Sequence, residues 1–409
     1  MIKTLGGTMK TRLTKFGALI MAMVLMLSVF VGCGDRPAAG TGDVTTGETP
    51  SPAPTPNYSA YEKSEYIIAS YIYNDYDKLN MEDFAKLNIV FAAFGLINER
   101  THRMGFANAE NFHYLTEARE LCPTTKIVVS IGGWGADGFS QMARTAEGRA
   151  AFIESVMEFV DEHKLDGVDM DWEYPVSGGE IAHHDSDKDN FTLLMKELRE
   201  ALDQRKAYDG GEMLLTFAAA ASGSYWRRSV DVAAVMPYVD YVNLMTYDFA
   251  GSWSRSTGHH TNLSAPKSDG RYEYSCGMSA VESAIQAGVP ASKIVLGAAS
   301  YGKLFMAVSS SRNHGLGQDY IGGCTDIRLN DIVDLVGAGN YVRYWDSQAK
   351  APYLFDGKNL ITYDDAESIG YKVQYITNKG LAGIMYWEYA GDTEESYIIN
   401  TSYDYFLSK

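Results

Sequence analysis

From Glu65 onward, short runs of β-branched and aromatic residues alternate with amphipathic helical patterns such as Arg149–His163 and Asn190–Asp203. This alternation is typical of parallel strands, because each parallel connection needs a crossover that a helix usually supplies. Eight such repeats predict an α/β fold, a (β/α)8 barrel, whose functional residues lie at the carboxyl ends of the strands. The predicted strands are Tyr66–Tyr73, Ile89–Leu96, Lys126–Ile131, Gly167–Trp172, Met213–Ala219, Tyr241–Thr246, Lys293–Ala298 and Gly383–Trp387.

An open, doubly wound sheet is the alternative architecture for such a sequence. It would place a glycine-rich phosphate-binding turn directly after its first strand. Residues 71–75 read Tyr-Ile-Tyr-Asn-Asp, which contains no glycine. The closed barrel is therefore the predicted fold.

One interval between predicted strands is much longer than the others. The seventh and eighth strands begin 90 positions apart, whereas the other strand starts are separated by 23 to 52 positions. The alternative to a folded insertion is an irregular surface loop, but long loops without secondary structure are uncommon. An insertion covering residues about 303–365 is therefore predicted between these strands.

The fourth predicted strand carries four acidic residues in the pattern D-x-x-D-x-D-x-E, namely Asp166, Asp169, Asp171 and Glu173. Successive members of the row Asp169, Asp171 and Glu173 share one face of the strand and lie about 6.6 Å apart. A solvated strand would place polar residues between these charges, and this one places Val, Met and Trp there. A site for a hard cation usually draws its ligands from a curved loop. The pattern favours proton transfer, with Glu173 as the acid.

Several other motifs accompany this acidic row and together carry a family resemblance. Residues 130–134 read S-I-G-G-W, residues 245–248 read M-T-Y-D, and Trp387 lies on the last strand. With the acidic row, these motifs resemble glycoside hydrolase family 18, the chitinase family, over nearly all of residues 65–400. Two departures are Lys303, where the family has Arg in its Y-G-R turn, and Ser70, where Gly is common.

The resemblance implies a retaining hydrolysis in which the substrate's own 2-acetamido group is the nucleophile. Glu173 would protonate the leaving oxygen and then deprotonate the incoming water. Asp171 would accept a hydrogen bond from the acetamide N–H, and Asp169 would keep the pair from being doubly ionised. Tyr247 would orient the acetamide oxygen. No metal and no other cofactor is required, and the insertion would be a small α+β unit forming one wall of the cleft.

The same resemblance implies the set of substrate-binding residues. Tyr71 and Ser130 would support Asp169, Trp387 would form the floor under the sugar, and Asp248, like Asp166, would have a supporting hydrogen-bond role. Trp134 and Trp253 would stack on sugars on the leaving-group side, although packing of loops is an alternative for both. The whole predicted set is Tyr71, Ser130, Gly133, Trp134, Met245, Asp248, Trp253 and Trp387.

Composition restricts the class of partner. A net charge of −17 argues against nucleic acid and against an anionic membrane surface. The expected partner is chitin or an oligosaccharide containing N-acetylglucosamine, bound by a monomer. The alternative functions are an endo-β-N-acetylglucosaminidase acting on N-glycans or cell-wall glycan, and a chitin-binding protein without catalysis.

The histidine pairs His183–His184 and His259–His260 are candidate metal ligands, but adjacent residues seldom point at one metal ion. Both pairs are therefore expected at the surface.

The N-terminal part of the chain is predicted to lie outside the fold. Residues 1–33 combine basic residues, the apolar run Phe16–Val31 and Cys33, which predicts a lipoprotein-type signal peptide. Phe30 stands where Leu is usual in such signals. Residues 34–62 are rich in Pro and Thr and predict an extended linker to a catalytic region at residues 63–409. The predicted location is extracellular, with a membrane anchor only through a lipid on Cys33.

The remaining cysteines are Cys122, Cys276 and Cys324, an odd number that rules out a fully paired disulfide framework. A bond between Cys276 and Cys324 is left open by the sequence.

Overall fold

The computed structural model describes Tyr58, residues 61–266 and residues 275–408. The strands of this part are β1 (Ile67–Tyr73), β2 (Ile89–Ile97), β3 (Met104–Phe106), β4 (Lys126–Gly132), β5 (Gly167–Asp171), β6 (Leu214–Ala220), β7 (Tyr241–Met245), β8 (Ile294–Ala299), β9 (Tyr301–Phe305), β10 (Cys324–Arg328), β11 (Val342–Asp346), β12 (Ala351–Phe355), β13 (Leu360–Thr362) and β14 (Gly383–Trp387).

The α-helices of the same part lie between and after these strands. They are α1 (Met81–Lys86), α2 (Phe112–Leu121), α3 (Phe139–Ala143), α4 (Ala146–Glu162), α5 (Asp187–Leu202), α6 (Gly223–Arg228), α7 (Val232–Val235), α8 (Gly277–Ala287), α9 (Leu329–Gly337), α10 (Ala366–Lys379) and α11 (Tyr397–Leu407). Among these described segments, no helix combines the length and the apolar character needed to cross a bilayer.

The main sheet closes on itself into a barrel. Its strands follow the order β1-β14-β8-β7-β6-β5-β4-β2, and a further pairing of β1 with β2 completes the ring. All these pairs are parallel, and only β3 joins β2 in the antiparallel direction. The predicted (β/α)8 barrel is confirmed.

Alternate residues of the barrel strands face two different apolar cores, one inside the barrel and one between the strands and the helices. On β1, Ile67, Ala69 and Tyr71 belong to the cluster inside the barrel, whereas Ile68 and Ile72 pack in the larger cluster between strands and helices. This alternation follows from the period of two along a strand. On β5 the outward residues are apolar and the inward ones are Asp169 and Asp171, so the acidic row lies inside the barrel mouth.

The bounds of the eight barrel strands agree with the prediction to within one residue. Strand β5 ends at Asp171, although Trp172 was predicted as its last residue. Helix α4 begins three residues before the predicted start, because the Thr145 side chain accepts a hydrogen bond from the Gly148 amide and caps the helix there.

The predicted insertion is a small α+β unit, as expected. Strands β9 to β13 form a separate antiparallel sheet in the order β10-β9-β13-β12-β11, and helix α9 follows β10. The sheet starts at Tyr301, two residues before the predicted boundary, because β9 pairs with both β10 and β13. The long interval in the sequence therefore contains a second sheet.

The predicted signal peptide lies outside the described residues, as does the predicted linker except for Tyr58, Tyr61 and Glu62. Tyr61 already contacts the barrel region, with its ring centroid 6.4 Å from that of Tyr403 on α11. At least one residue before position 63 therefore packs on the catalytic region.

Candidate active site

Asp169 is fully buried inside the barrel and accepts hydrogen bonds from four side chains. Tyr71 Oη and Ser130 Oγ lie 3.0 and 2.8 Å from Asp169 Oδ2. Thr216 Oγ1 and Asn243 Nδ2 lie 2.6 and 3.1 Å from Oδ1. Burial raises the pKa of Asp169, and these hydrogen bonds oppose that rise. Asp169 is therefore a fixed and fully partnered group beneath the cleft.

Asp171 lies two residues further along β5 in a different environment. It is buried, yet its Oδ1 atom has no hydrogen-bond partner among the described residues. Burial raises the pKa of Asp171 well above its usual range, and the charges of Glu173 and Asp169 raise it further. Because burial and two neighbouring acids disfavour its charged form, Asp171 retains a proton more readily than Asp169, whose hydrogen bonds favour the charged form. Asp171 is nevertheless one of the residues that line the cleft.

Glu173 lies just past the end of β5 and lines the cleft. Burial raises its pKa to about 7, and the charge of Asp248 also raises it, while a hydrogen bond with Tyr174 lowers it. A carboxyl group with a pKa near neutrality can both donate and accept a proton at the operating pH. Glu173 is the residue that the geometry favours as the acid.

The two glycines of the S-x-G-G-W motif leave room for neighbouring groups of the protein. Gly132 and Gly133 both have positive φ, at +124° and +93°. A Cβ atom on Gly132 would lie 2.0 Å from the carbonyl oxygen of Asp171, and one on Gly133 would lie 2.6 Å from the ring of Phe94. Only glycine tolerates both the conformation and the contact. Gly133 was predicted to bind substrate, but it does not line the cleft.

The cleft at the carboxyl ends of the barrel strands has a volume of about 1110 Å³. Nine of the predicted site residues line it, namely Tyr71, Trp134, Asp171, Glu173, Met245, Tyr247, Asp248, Trp253 and Trp387. Asp169 and Ser130 lie beneath its surface and act through their hydrogen bonds. The structure thus brings the motif residues of separate strands into one cavity.

Aromatic rings form the floor of this cleft. The Trp387 ring stacks on Phe94 with centroids 5.4 Å apart, and it lies 5.7 Å from Tyr71 and 6.1 Å from Tyr73. An apolar ring face at the bottom of a cleft with carboxyl groups above it suits a sugar ring, which has an apolar face and polar edges. Phe94 was not predicted, because its strand carries no recognised motif.

One side of the cleft is a network of polar side chains from β9, from β10 and from the segment after β7. Tyr301 Oη donates a hydrogen bond of 2.7 Å to Asp248 Oδ1, and Lys303 Nζ lies 2.8 Å from the same oxygen. Lys303 also contacts Asp326 at 2.7 Å. Burial and nearby carboxyl groups raise the pKa of Tyr247 well above its usual range, so its hydroxyl remains a hydrogen-bond donor.

The two predicted stacking residues are the most accessible aromatic rings of the cleft. Trp134 is 61% exposed and Trp253 is 64% exposed. Trp134 lies 6.5 Å from the ring of Tyr174, the residue after Glu173, and Lys303 Nζ lies 5.5 Å from the ring of Trp253. Their faces are therefore offered to a ligand and are not buried by loop packing.

Comparisons with known proteins agree with these features. Residues 57–392 match the family model described as Glycosyl hydrolases family 18. The chain belongs to glycosyl hydrolase family 18. The resemblance inferred from the motifs is confirmed.

Individual relatives of this family 18 chain include two chitinases. The chain is 37% identical over 313 residues to Chitinase A1 of Niallia circulans, covering 70% of this chain and 44% of that protein. It is 36% identical over 287 residues to Chitinase 1 of Aphanocladium album, covering 68% of this chain and 64% of that protein. The chain therefore spans about half to two thirds of the length of these curated relatives.

A solved structure covers more of the family 18 chain. A family 18 N-acetylglucosaminidase from Paenibacillus barengoltzii superposes with a TM-score of 0.77 and 39% sequence identity, covering 83% of this chain and 99% of that chain. The fold of this chain is thus similar to that of a solved member of the family.

Asp166, the first acid of the D-x-x-D-x-D-x-E row, does not lie at the cleft of this family 18 barrel. It immediately precedes β5, at the opposite end of that strand from Glu173. Its Oδ2 atom is 3.2 Å from Arg119 Nη1 and 2.8 Å from the Ile127 amide, and its Oδ1 atom accepts from the Tyr208 amide at 2.8 Å. Its hydrogen bonds join elements at the amino-terminal end of the barrel.

One prediction about histidine is wrong. His259 and His260 are buried, whereas His183 and His184 are exposed as expected. His259 Nε2 lies 3.3 Å from Asp346 Oδ2 on β11, and His260 Nε2 lies 3.2 Å from the Tyr301 carbonyl oxygen. The pair is buried because it lies between the barrel and the insertion, a contact that the sequence did not reveal.

Metal ligands and disulfides were the remaining open questions. Within the part of the chain that the structure describes, no three His, Cys, Asp or Glu side chains are grouped to hold a metal ion. Cys122, Cys276 and Cys324 are free thiols.

Several residues at the site were missed by sequence reasoning. Thr216 and Asn243 complete the hydrogen bonds to Asp169, and Glu388, Asp326 and Arg328 line the cleft. A signal existed for Asn243, because a polar residue between Val242 and Leu244 breaks an apolar strand at an inward position.

Proposed function

We propose that this chain hydrolyses β-1,4-linked N-acetylglucosamine glycans, chitin or chitooligosaccharides, by a retaining mechanism in which the substrate supplies the nucleophile. The observation that carries the proposal is the pairing of Glu173 with Asp171 in one cleft. Glu173 has a pKa raised to about 7, and Asp171 presents an unpartnered buried oxygen. The chitinase names of two relatives at 36–37% identity support the same activity.

The three residues Glu173, Asp171 and Tyr247 all line the cleft and can fill the separate roles that the mechanism requires. A protonated Glu173 can transfer its proton to the glycosidic oxygen as the bond breaks. Asp171, which lines the cleft, can accept a hydrogen bond from the acetamide N–H, and this holds the acetamide oxygen against the anomeric carbon. Tyr247, whose hydroxyl stays protonated, can donate to that acetamide oxygen. The acetamide oxygen bonds to the anomeric carbon as the leaving group departs. Water then attacks that carbon, breaks the new bond and loses its proton to Glu173.

The experiment that tests this mechanism compares two series of oligomers of equal length. Chito-oligomers should be cleaved with retention of β configuration, and cello-oligomers should resist cleavage because they carry no 2-acetamido group. A thiazoline analogue of the cyclic intermediate should inhibit. The oligomers differ only in the acetamido group, so the comparison isolates the nucleophile.

Two outcomes would contradict the proposal. Comparable cleavage of cello-oligomers would mean that a protein group is the nucleophile, and inversion would mean that water attacks directly. The variant Asp171→Asn tests the role of Asp171, because it keeps the side-chain volume but changes the hydrogen-bonding partner of the acetamide. Its turnover should fall strongly while Glu173 keeps its proton.

A second candidate function is that of an endo-β-N-acetylglucosaminidase, which cleaves within N-glycans or cell-wall glycan. It is favoured by the relative named N-acetylglucosaminidase, which is 39% identical and is covered over 99% of its length. Chito-oligomers and a high-mannose N-glycan incubated in parallel distinguish the two by their products. A third candidate, binding without catalysis, is disfavoured because Glu173 is present at the end of the acidic row.

We also propose that the protein is exported and anchored to the cell membrane by a lipid on Cys33, with residues 34–62 as the spacer. The support is the basic and then apolar layout of residues 1–33. Mass spectrometry of the native protein should find Cys33 as a lipid-bearing N-terminus. An N-terminus elsewhere, or no added lipid mass, would contradict the anchor. The protein is expected to act as a monomer, which light scattering would test.

A further inference from the structure

The chain segment that follows β7 carries Trp253 to the cleft but pairs with the insertion. Ser256 forms an antiparallel bridge with Asp319, and the Thr257 amide donates a hydrogen bond of 2.9 Å to the Gln318 carbonyl oxygen. Both partners belong to the connection between β9 and β10. The insertion therefore holds the backbone from which the Trp253 side chain extends.

Apolar packing makes the same connection. Ala250 is buried, and it belongs to the core of the insertion together with Phe305 and Leu316. The ring of Tyr320 packs against this core, with its centroid 5.0 Å from that of Phe305. Tyr320 thus has a fixed position next to the segment that carries Trp253.

Residues 251–254 form a tight turn that includes Trp253. The Ser254 amide donates a hydrogen bond of 2.9 Å to the Gly251 carbonyl oxygen, and the Gly251 amide donates one of 3.1 Å to Ser254 Oγ. The Trp253 ring lies against Gly251, since a Cβ atom there would be 2.5 Å from the ring atom Cη2. The position of the ring therefore depends on the backbone of this turn.

The hydroxyl group of Tyr320 contacts this turn from the side of the insertion. Its Oη atom lies 2.8 Å from the Ser254 carbonyl oxygen, and 3.3 and 3.4 Å from those of Gly251 and Ser252. A phenol group has one proton to donate, and the shortest distance assigns that proton to the bond with Ser254. Three carbonyl oxygens of one turn thus face a single hydroxyl group. Without this donor they would turn toward water, and the turn would lose a tie to the insertion.

We propose that Tyr320 is a positioning residue, whose hydroxyl group fixes the turn of residues 251–254 and thereby holds the Trp253 ring ready to bind a sugar. The inference rests on the proposed function, because it concerns how a glycan is bound in the same cleft. Trp253 is 64% exposed and lines the cleft, whereas Tyr320 is not among the described residues that line it. A ring that is already fixed loses less conformational freedom when a ligand binds, so binding is tighter. Tyr320 therefore affects substrate binding without touching the substrate.

Hydrogen exchange of backbone amides tests the positioning directly. In Tyr320→Phe, which removes only the hydroxyl group, the amides of residues 249–257 should exchange about fivefold faster than in the wild type, the factor that corresponds to one neutral hydrogen bond. The amides of β5 should exchange at the wild-type rate. Unchanged exchange in residues 249–257 would overturn the inference, as would an equal acceleration in β5.

Steady-state kinetics on chitohexaose tests the consequence for binding. Tyr320→Phe should raise KM about fivefold, while kcat stays close to the wild-type value because Glu173 and Asp171 are unchanged. In a Trp253→Ala background the same substitution should leave KM unchanged, because the ring through which Tyr320 acts is missing. An equal increase of KM in both backgrounds, or no increase in either, would overturn the inference.

The variant Tyr353→Phe is the matched control. The Tyr353 hydroxyl group also belongs to the insertion and donates to a backbone carbonyl oxygen, that of Asn313 at 3.4 Å, outside the Trp253 turn. Its KM and its exchange in residues 249–257 should keep wild-type values, and changes equal to those of Tyr320→Phe would overturn the specific role of Tyr320. Absence of chito-oligomer hydrolysis by the wild type would overturn the proposed function. The exchange experiment needs no substrate and would still decide whether Tyr320 fixes the turn.

Discussion

At the scale of single residues, the site places chemically similar acids in different surroundings. Asp169 is held by four donors, Asp171 has one oxygen with no donor among the described residues, and Glu173 lies at the cleft surface. Burial raises the pKa of all three, and it raises that of Glu173 to about 7. Environment therefore assigns the roles of structural anchor, ligand acceptor and acid along one short segment.

Replacement of the acid should separate binding from chemistry. Glu173→Gln keeps the shape but holds no transferable proton, so turnover of chito-oligomers should fall by about 10²–10⁴ while binding is retained. Steady-state rates and calorimetric titration measure the two properties. In the wild type, kcat/KM should decrease above a pH of about 7, where Glu173 loses its proton. A variant that keeps more than a few per cent of wild-type turnover would refute the assignment.

The same raised pKa predicts a pH dependence of stability. Between the ordinary value of 4.5 and about 7 the folded protein keeps a proton on Glu173 that the unfolded chain has lost. Over this window the wild-type free energy of unfolding should therefore fall by about 1.4 kcal/mol per pH unit from this group. Glu173→Gln lacks this contribution, so its stability relative to the wild type should increase from pH 4 to pH 8. Urea unfolding at the two pH values measures the difference, and a constant difference would contradict it.

The sequence predicted most of this site but not its second layer of partners. The row of acids could be recognised because the spacing of two along a strand fixes a common face. Thr216 and Asn243 were missed because their hydrogen bonds depend on how β6 and β7 align with β5, which no local pattern reveals. The burial of His259 likewise depends on the insertion, whose residue contacts are remote in sequence.

At the scale of elements, β9 connects the barrel to the insertion sheet through Lys303. This residue is buried and lies between Asp248, after β7, and Asp326 on β10. Burial alone would lower the pKa of Lys303, but the two carboxylates overcome that effect and raise it. Its ammonium also lies 5.5 Å from the Trp253 ring. One cation thus contacts two groups of the segment after β7, one of them a predicted stacking platform, and one group of β10.

Removal of this cation should change both substrate binding and the pH profile. Lys303→Met would leave Asp248 without its cation, and because the Asp248 charge raises the Glu173 pKa, the alkaline limb of kcat/KM should move to higher pH. Loss of the cation–π contact should raise KM for long oligomers by up to about tenfold. Lys303→Arg, which restores the family residue, keeps the charge and should behave like the wild type. An unshifted pH profile in Lys303→Met would contradict the electrostatic link.

The insertion illustrates what the sequence predicts well and what it leaves open. Spacing alone located it, because 90 positions between two strand starts exceed what one helix needs. Its sheet order, with β9 in contact with both β10 and β13, could not be predicted, since short antiparallel strands allow several pairings. The placement of Arg328 and Asp326 at the cleft follows from that order.

At the scale of the whole molecule, the two ends of the barrel have different tasks. The carboxyl ends of the strands carry the cleft, and the opposite end holds a buried ion pair between Arg119 and Asp166. Both acids of interest, Asp166 and Glu173, flank the same short strand β5. In barrels of this type, buried polar residues at the amino-terminal end serve stability and those at the carboxyl end serve function.

This separation predicts opposite phenotypes for two acids of one motif. Asp166→Ala would leave the Arg119 guanidinium buried without its carboxylate and would remove the acceptor for the Ile127 and Tyr208 amides. The cost should be about 3–5 kcal/mol of unfolding free energy, because an uncompensated buried charge remains. Since Asp166 does not contact the cleft, kcat on chito-oligomers, measured well below the unfolding temperature, should stay close to the wild-type value. Arg119→Met in the same background removes the unpaired charge and should restore part of the lost stability. A large loss of kcat in a folded Asp166→Ala protein would show that the two ends of the barrel are coupled, against the division of tasks argued here.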